Sequence, residues 1–274
     1  RLVSLGLSAD DASVPSDFSY YDQVLDAAVA VGAIPERFAD LADANGVVDL
    51  AGYFTIARGE GSRPPLEMTK WFDSNYHYLV PEIGPDTAFH LACRRVIDEF
   101  VEAKEAGVLT RPVIVGPVTF LLLSKPAEGS PDDFWPLQRI NDLSAVYVDL
   151  LRELAAAGAT WVQIDEPALV VDTWAEPRTR IRDAVECAYT GITYELTQPE
   201  RPAVLVTLPY GTATDLFCSL RNVEAVALDL DRGEVPDAEA FNHLDATTIV
   251  GGVVSGRNVW RSDLDAALSK LEAL

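Results

Sequence analysis

Short apolar runs alternate with longer stretches of helical period along most of this chain. Runs such as VIVGPV and AVALDL are near-continuously hydrophobic, the character of parallel strands buried on both faces. Strands are predicted at 13–19, 66–71, 112–119, 161–167, 203–208, 225–231 and 247–255, with amphipathic helices between them. The clearest helix is 134–157, where Leu137, Ile140, Leu143, Tyr147, Leu150, Leu151 and Leu154 form one stripe and Gly158 supplies the stop. A last helix is predicted to start at Ser262, a good N-cap, and to bury Leu264, Leu268 and Leu271.

Strand–helix alternation implies a parallel sheet. Seven strands are one short of a closed (βα)8 TIM-type barrel. The opening RLVSLGL reads as the end of a helix. The expected fold is therefore an α/β barrel whose first strand and helix precede Arg1. The competing architecture is an open doubly wound sheet, but no G-x-G-x-x-G follows any strand and Gly251-Gly252 does not replace it. The stretch 126–136, PAEGSPDDFWP, is a loop of turn formers and acids and reads as a surface excursion. One domain, 1–274, is expected.

Composition narrows the function classes. Of 274 residues 49% are hydrophobic, enough for a large core and against disorder. A formal charge of −22 argues against nucleic acid as a partner, because neutralising phosphates takes basic patches. Any site for an anionic ligand must be a local exception in this field. With only four Lys beside seventeen Arg, each Lys merits individual attention. Cys93, Cys187 and Cys218 are odd in number and far apart, which favours a reducing cytoplasm over a disulfide scaffold. No apolar run approaches the roughly 20 residues that span a bilayer, so no membrane partner is expected.

Candidate chemistry concentrates at predicted strand ends, where barrel sites lie. The segment EMTKWFDSNYHYLVPE (67–82) follows neither the strand nor the helix period and reads as lining something. In it Lys70, beside Trp71 and Phe72, can present an ammonium to an anion, or pair with Glu67 while its stem lies over the rings. His77, between Tyr76 and Tyr78, suits a general base, a hydrogen-bonding wall or, more simply, a satisfied buried histidine. Asp165 and Glu166, before Pro167, can bind an ammonium group, serve as acid and base, bind a metal, or start a helix. Asp229, Asp231, Arg257 and Asn258 also fall at strand ends. Arg257 can clamp a carboxylate or pair with Asp229 or Asp231. His90 and Cys93 have zinc-compatible helical spacing, but no second ligand pair follows and Cys218 is isolated, so no metal site is expected.

Five segments, in order, resemble one family: SDFSYYDQVLDAAVAVGAIPERF, EMTKWFDSNYHYLVPE, PVIVGPVTFLLLSK, WVQIDEPALVVD and VVSGRNVWRSDLDAAL. They look like the N-terminal half of cobalamin-independent methionine synthase, and the resemblance covers essentially the whole chain. EMTKWF with NYHY is specific to that half; DEP is shared by both halves of the family. TLPYG at 207–211 departs mildly from the family's TYFG.

The resemblance implies a methyltransferase that moves a methyl group from 5-methyltetrahydropteroyl-polyglutamate to homocysteine, with zinc activating the thiol. It implies that zinc, homocysteine and pterin are held mainly by a C-terminal catalytic barrel through a His, two Cys and a Glu that match nothing here. This half would support that barrel as its partner and contribute to the folate's anionic tail, with Lys70 at the position of the family's MTKW lysine; this fragment alone would be inactive. Asp165, Glu166 and Arg257 are secondary candidates for substrate binding, and no catalytic or metal-binding residue is assigned. A PRIG-type segment and a following RELK, the family's other contributors to the tail, are not found. Two alternatives stay open: a stand-alone, non-catalytic barrel serving as a binding or assembly partner, and a self-contained enzyme using Asp165 or Glu166.

Overall fold

The computed structural model describes residues 1–257 and 259–274. In chain order the elements are β1 (Val14–Ser16), α1 (Gln23–Ala30), α2 (Leu50–Arg58), β2 (Met68–Lys70), β3 (His77–Leu79), β4 (Glu82–Ile83), α3 (Arg95–Glu105), β5 (Thr110–Val115), α4 (Pro117–Leu122) and β6 (Lys125–Pro126). They continue with α5 (Ile140–Ala157), β7 (Trp161–Asp165), α6 (Arg178–Tyr194), β8 (Ala203–Leu208), β9 (Ala225–Asp229), α7 (Ala238–Phe241), β10 (Thr248–Gly252) and α8 (Leu264–Ala273). Six strands form one all-parallel sheet in the order β1-β5-β7-β8-β9-β10, a curled half-barrel.

The period of two sorts side chains between the faces. Val162, Ile164, Val204, Val206, Leu208 and Val226 point to the helical side and are fully buried. α5 and α6 cover that side, and α5 alone buries Leu143, Leu151 and Leu154 completely. Truncating any of these to Ala would cost about 2–5 kcal/mol. The register Val113↔Gln163, Asp165↔Thr207 and Asp229↔Gly252 places Gln163, Asp165, Thr207 and Asp229 together on the opposite, inner face. At the N-terminal ends of the strands Arg201 grips Glu224 with two hydrogen bonds of 2.9 Å and donates to the carbonyls of Leu196, Pro202 and Asn222. That end of the sheet is therefore tied shut by structure, leaving the C-terminal ends for a site.

Three expectations need correction. The strand predicted at 66–71 is not in the main sheet: β2 pairs antiparallel with β3 in a separate hairpin. Met68, Thr69 and Lys70 are all exposed, which a strand buried on both faces does not allow. Among the described residues the sheet thus has six strands, not seven, and the count that left a barrel only one unit short does not hold. The strand predicted at 112–119 stops at Val115, and α4 begins at Pro117. Proline at a first helical position gives up an N–H that has no partner there anyway. The last helix is capped by Asp263, whose side chain accepts from the Ala266 N–H, not by Ser262. It buries Ala267, while Leu264, Leu268 and Leu271 are 69%, 55% and 41% exposed, because α8 lies beside the edge strand β10. Among the described residues no helix is long and apolar enough to cross a membrane.

Candidate functional site

The C-terminal ends of β8, β9 and β10 enclose a cleft of about 520 Å³, lined by Thr207, Tyr210, Asp229, Arg232, Arg257 and Asp73 among others. Two of its walls come from turns built by one carboxylate. Asp229 accepts the N–H groups of Asp231 and Arg232 at 3.0 Å and that of Tyr210 at 2.8 Å, so β9's end fixes the loop after β8. Tyr210 sits at φ 77, a left-handed conformation rare for a tyrosine, which the Asp229 bond helps hold.

The third wall is the tip of the β2–β3 hairpin, and Asp22 positions that hairpin. Asp22 is the N-cap of α1: one oxygen accepts from Val24 N at 2.8 Å and Leu25 N at 3.0 Å. Its other oxygen accepts from Leu79 N of β3 at 3.2 Å. One buried carboxylate thus serves a helix start and a strand 57 residues away. Burial pushes its pKa up from 3.8 to about 6 despite these bonds.

From there the tip reaches across the sheet. Trp71 donates its indole N–H to the Tyr210 hydroxyl at 2.9 Å and meets Phe72 and Tyr78 edge-on. Phe72, at φ 49, turns the chain so that its ring lies 5.5 Å from that of Tyr210. Asp73 then receives two hydrogen bonds from Arg232, at 2.9 and 2.7 Å, and one from Arg257 at 3.0 Å. Arg257 also donates to the Asp73 carbonyl at 3.1 Å. These arginines hold the Asp73 carboxyl down at about 2.

Lys70 closes β2, three residues before Asp73 and opposite His77. It is exposed, and among the described residues its ammonium has no ion-pair partner. The Lys70–Glu67 pairing considered from sequence does not form: Glu67 takes Lys125 at 2.9 Å, which also faces Glu82 at 3.6 Å. His77 is exposed, not buried.

Asp165 and Glu166 point apart. Asp165 lies on the inner face, accepting from Gln163 at 2.7 Å; Gln163 in turn accepts from Arg111 at 3.1 Å. Burial pushes Asp165 up to about 6. Glu166 is fully buried behind the sheet, where it accepts from Val118 N at 3.2 Å, Thr119 N at 2.6 Å and the Tyr189 hydroxyl at 2.9 Å. All its partners are the protein's own, at the start of α4 and on α6, and burial raises it to about 7. Gly116 is required here, since a Cβ at that position would come within 2.1 Å of the Glu166 carboxyl carbon.

Arg257 pairs with Asp73, not with Asp229 or Asp231. Asn258 lies outside the described residues. Sequence reasoning missed Asp22, Asp73, Tyr210 and Arg232. Asp73 stands 159 and 184 residues from its two arginines, so no local signal pairs them. Capping was readable at Asp22, a good N-cap type before a helical run; its bond to Leu79 was not.

Zinc does not fit these residues. No group of three or more His, Cys, Asp or Glu that could hold a metal ion occurs among the described residues. His90 and Cys93 precede α3 in irregular chain, so the helical spacing that would pair them is not realised.

The family model described as "Cobalamin-independent synthase, N-terminal domain" matches residues 7–274. A 5-methyltetrahydropteroyltriglutamate–homocysteine methyltransferase of Streptomyces coelicolor is 46% identical over all of this chain and 34% of its own length. One of Mycobacterium leprae is 45% identical over 96% of this chain and 33% of its own. The chain thus spans about a third of the length of the curated relatives it matches. Among solved structures, a B12-independent methionine synthase from Shewanella sp. W3-18-1 matches at TM-score 0.54 and 17% identity, over 76% of this chain and 62% of that one. A methyltransferase from Methanosarcina mazei matches at TM-score 0.53 and 12% identity, over 98% and 86%. At those identities the two structures speak for the fold alone. The match along nearly the whole length makes this chain a member of the cobalamin-independent synthase family, corresponding to its N-terminal domain.

Proposed function

We propose that the chain is the N-terminal barrel domain, 1–274, of a methyltransferase that passes a methyl group from a 5-methyltetrahydrofolate polyglutamate to homocysteine in the cytoplasm. Its part is to support a catalytic barrel elsewhere in the longer protein and to hold the folate's glutamate tail through Lys70. The observation that carries this is the state of Lys70 itself. It is exposed at the end of β2, three residues before the Asp73 that lines the cleft; among the described residues it has no ion-pair partner, and it belongs to a chain of −22 charge. A free ammonium there is a counter-charge available to an anionic chain. Zinc, which would lower the pKa of the homocysteine thiol, finds no ligand set among the described residues and would be held elsewhere in the longer protein.

The sheet's two edges support the finer fold reading, a closed barrel in the longer protein. β1 and β10 each have one unpaired edge. Two further parallel strands joining them would complete eight and close the barrel.

Calorimetric titration with a folate triglutamate, beside Lys70→Ala, tests the assignment. Binding should weaken in the variant and with added salt. Absent binding, or binding indifferent to Lys70, removes the tail-holding role from this chain.

A further inference from the structure

We propose that Arg232 and Arg257 form a carboxylate subsite at the mouth of the cleft, filled here by Asp73 and open to exchange with a carboxylate of an oligocarboxylate ligand. Asp73 sits on this pair as a bound carboxylate would. One guanidinium, that of Arg232, makes the two-pronged contact at 2.9 and 2.7 Å, and the second closes on the same oxygen at 3.0 Å. Naming a glutamate oligomer as the ligand rests on the function proposed above; the exchange itself rests on this geometry.

Four features favour exchange over a permanent tie. Asp73 lies between β2 and β3, outside regular structure, with its side chain 53% exposed, so water reaches it and its release displaces no core. The two guanidinium groups give an incoming carboxylate a local counter-charge, the exception an anion needs in the field of a −22 chain. Arg232 does not depend on Asp73 alone for its position. Its guanidinium also lies 5.7 Å from the centre of the Tyr210 ring, and Asp229 holds its backbone N–H at 3.0 Å. The cleft beside the pair, about 520 Å³, gives the rest of an extended ligand somewhere to lie.

Exchange has a mechanical consequence. The tip is joined to the strand ends by two kinds of contact, the Asp73–arginine pairs and the Trp71–Phe72–Tyr210 cluster. A ligand carboxylate that takes the arginines leaves only the aromatic cluster. The hairpin carrying Lys70 then becomes freer to follow the ligand. Binding to the arginines and adjustment of Lys70 are thereby coupled.

The test is calorimetric titration of the whole chain with a γ-linked triglutamate peptide. Asp73→Asn removes the internal competitor and should tighten binding on the order of tenfold, the factor by which an occupied site lowers apparent affinity. Asp231→Asn makes the same charge change in the same cleft, and among the described residues Asp231 forms no ion pair with either arginine. It should tighten binding by less than about twofold, as screened surface charge does. Arg232→Gln should weaken binding roughly tenfold and make a further Asp73→Asn silent. Hydrogen exchange at the Trp71 and Ser74 amides, which bond within the tip, should speed up when the peptide binds wild type.

Equal effects of Asp73→Asn and Asp231→Asn overturn the exchange, as does full binding by Arg232→Gln. Lys70→Ala separates the two readings. If only Lys70→Ala weakens binding, the tail assignment stands and the exchange falls. If only the Asp73 and Arg232 variants respond, the exchange stands and Lys70 loses its role. No binding by wild type or by Asp73→Asn overturns both. Thermal melts confirm that each variant is folded, and all these substitutions are of exposed or half-exposed side chains.

Discussion

Asp22 offers a way to loosen the Lys70 hairpin while sparing the helix it also caps. Asp22→Ala removes the acceptor for Val24 N, Leu25 N and Leu79 N together. Loss of the cap costs about 1 kcal/mol, and the orphaned Leu79 N–H, fully buried, a further 1–3 kcal/mol. The expected total is about 2–4 kcal/mol. Asp22→Asn keeps an oxygen for the two helix amides, since asparagine caps as well as aspartate. Its NH₂ then faces the Leu79 N–H, donor against donor, so about 1–3 kcal/mol is lost, and lost at the hairpin. Burial raises Asp22 from 3.8 to about 6, so the folded chain holds this proton more tightly than the unfolded one. That contribution is full below pH 4 and is lost as the pH rises through 6. Asparagine does not titrate, so the deficit of Asp22→Asn shrinks over the same range. Urea unfolding at pH 4, 5 and 7 measures these differences, and hydrogen exchange at Leu79 localises them. The reasoning fails if Asn and Ala cost the same, or if exchange at Leu79 is unchanged in both.

Glu166→Ala should cost about 3–5 kcal/mol, because it orphans three buried donors, on Val118, Thr119 and Tyr189; a loss below 1 kcal/mol in urea would show that water or a shifted neighbour serves them. The exposed leucines of α8, with Val250 and Trp260 also exposed, form an apolar surface beside an unpaired strand edge. Light scattering should therefore report concentration-dependent association that Leu268→Glu reduces; a clean monomer at high concentration would contradict this.

The patterning of apolar residues was enough for an α/β fold with a parallel sheet. Strand 203–208, the body of the strand predicted at 161–167, which ends at Asp165, and the helix stopped by Gly158 follow from local rules, because burial on both faces and a glycine stop leave marks in a few consecutive residues. The resemblance carried by EMTKWF and its companion segments reached the family before any geometry was known. Local pattern misled where a partner lay far along the chain. It gave 66–71 to the sheet, although Met68, Thr69 and Lys70, all exposed, pair only with their own hairpin. It buried the leucines of α8, although helical spacing says nothing about whether an element lies beyond β10 to cover them. The adjacent acids Asp165 and Glu166 looked equivalent in sequence. The fold separates them, because successive residues on a strand face opposite sides, and here one side is the open inner face and the other the helix-covered core. The Asp73–Arg232–Arg257 cluster exists only because the curl of the sheet and the hairpin laid across its strand ends bring residues 73, 232 and 257 to one rim. Long-range juxtaposition of that kind depends on the whole parallel topology, and no window of neighbouring residues contains it.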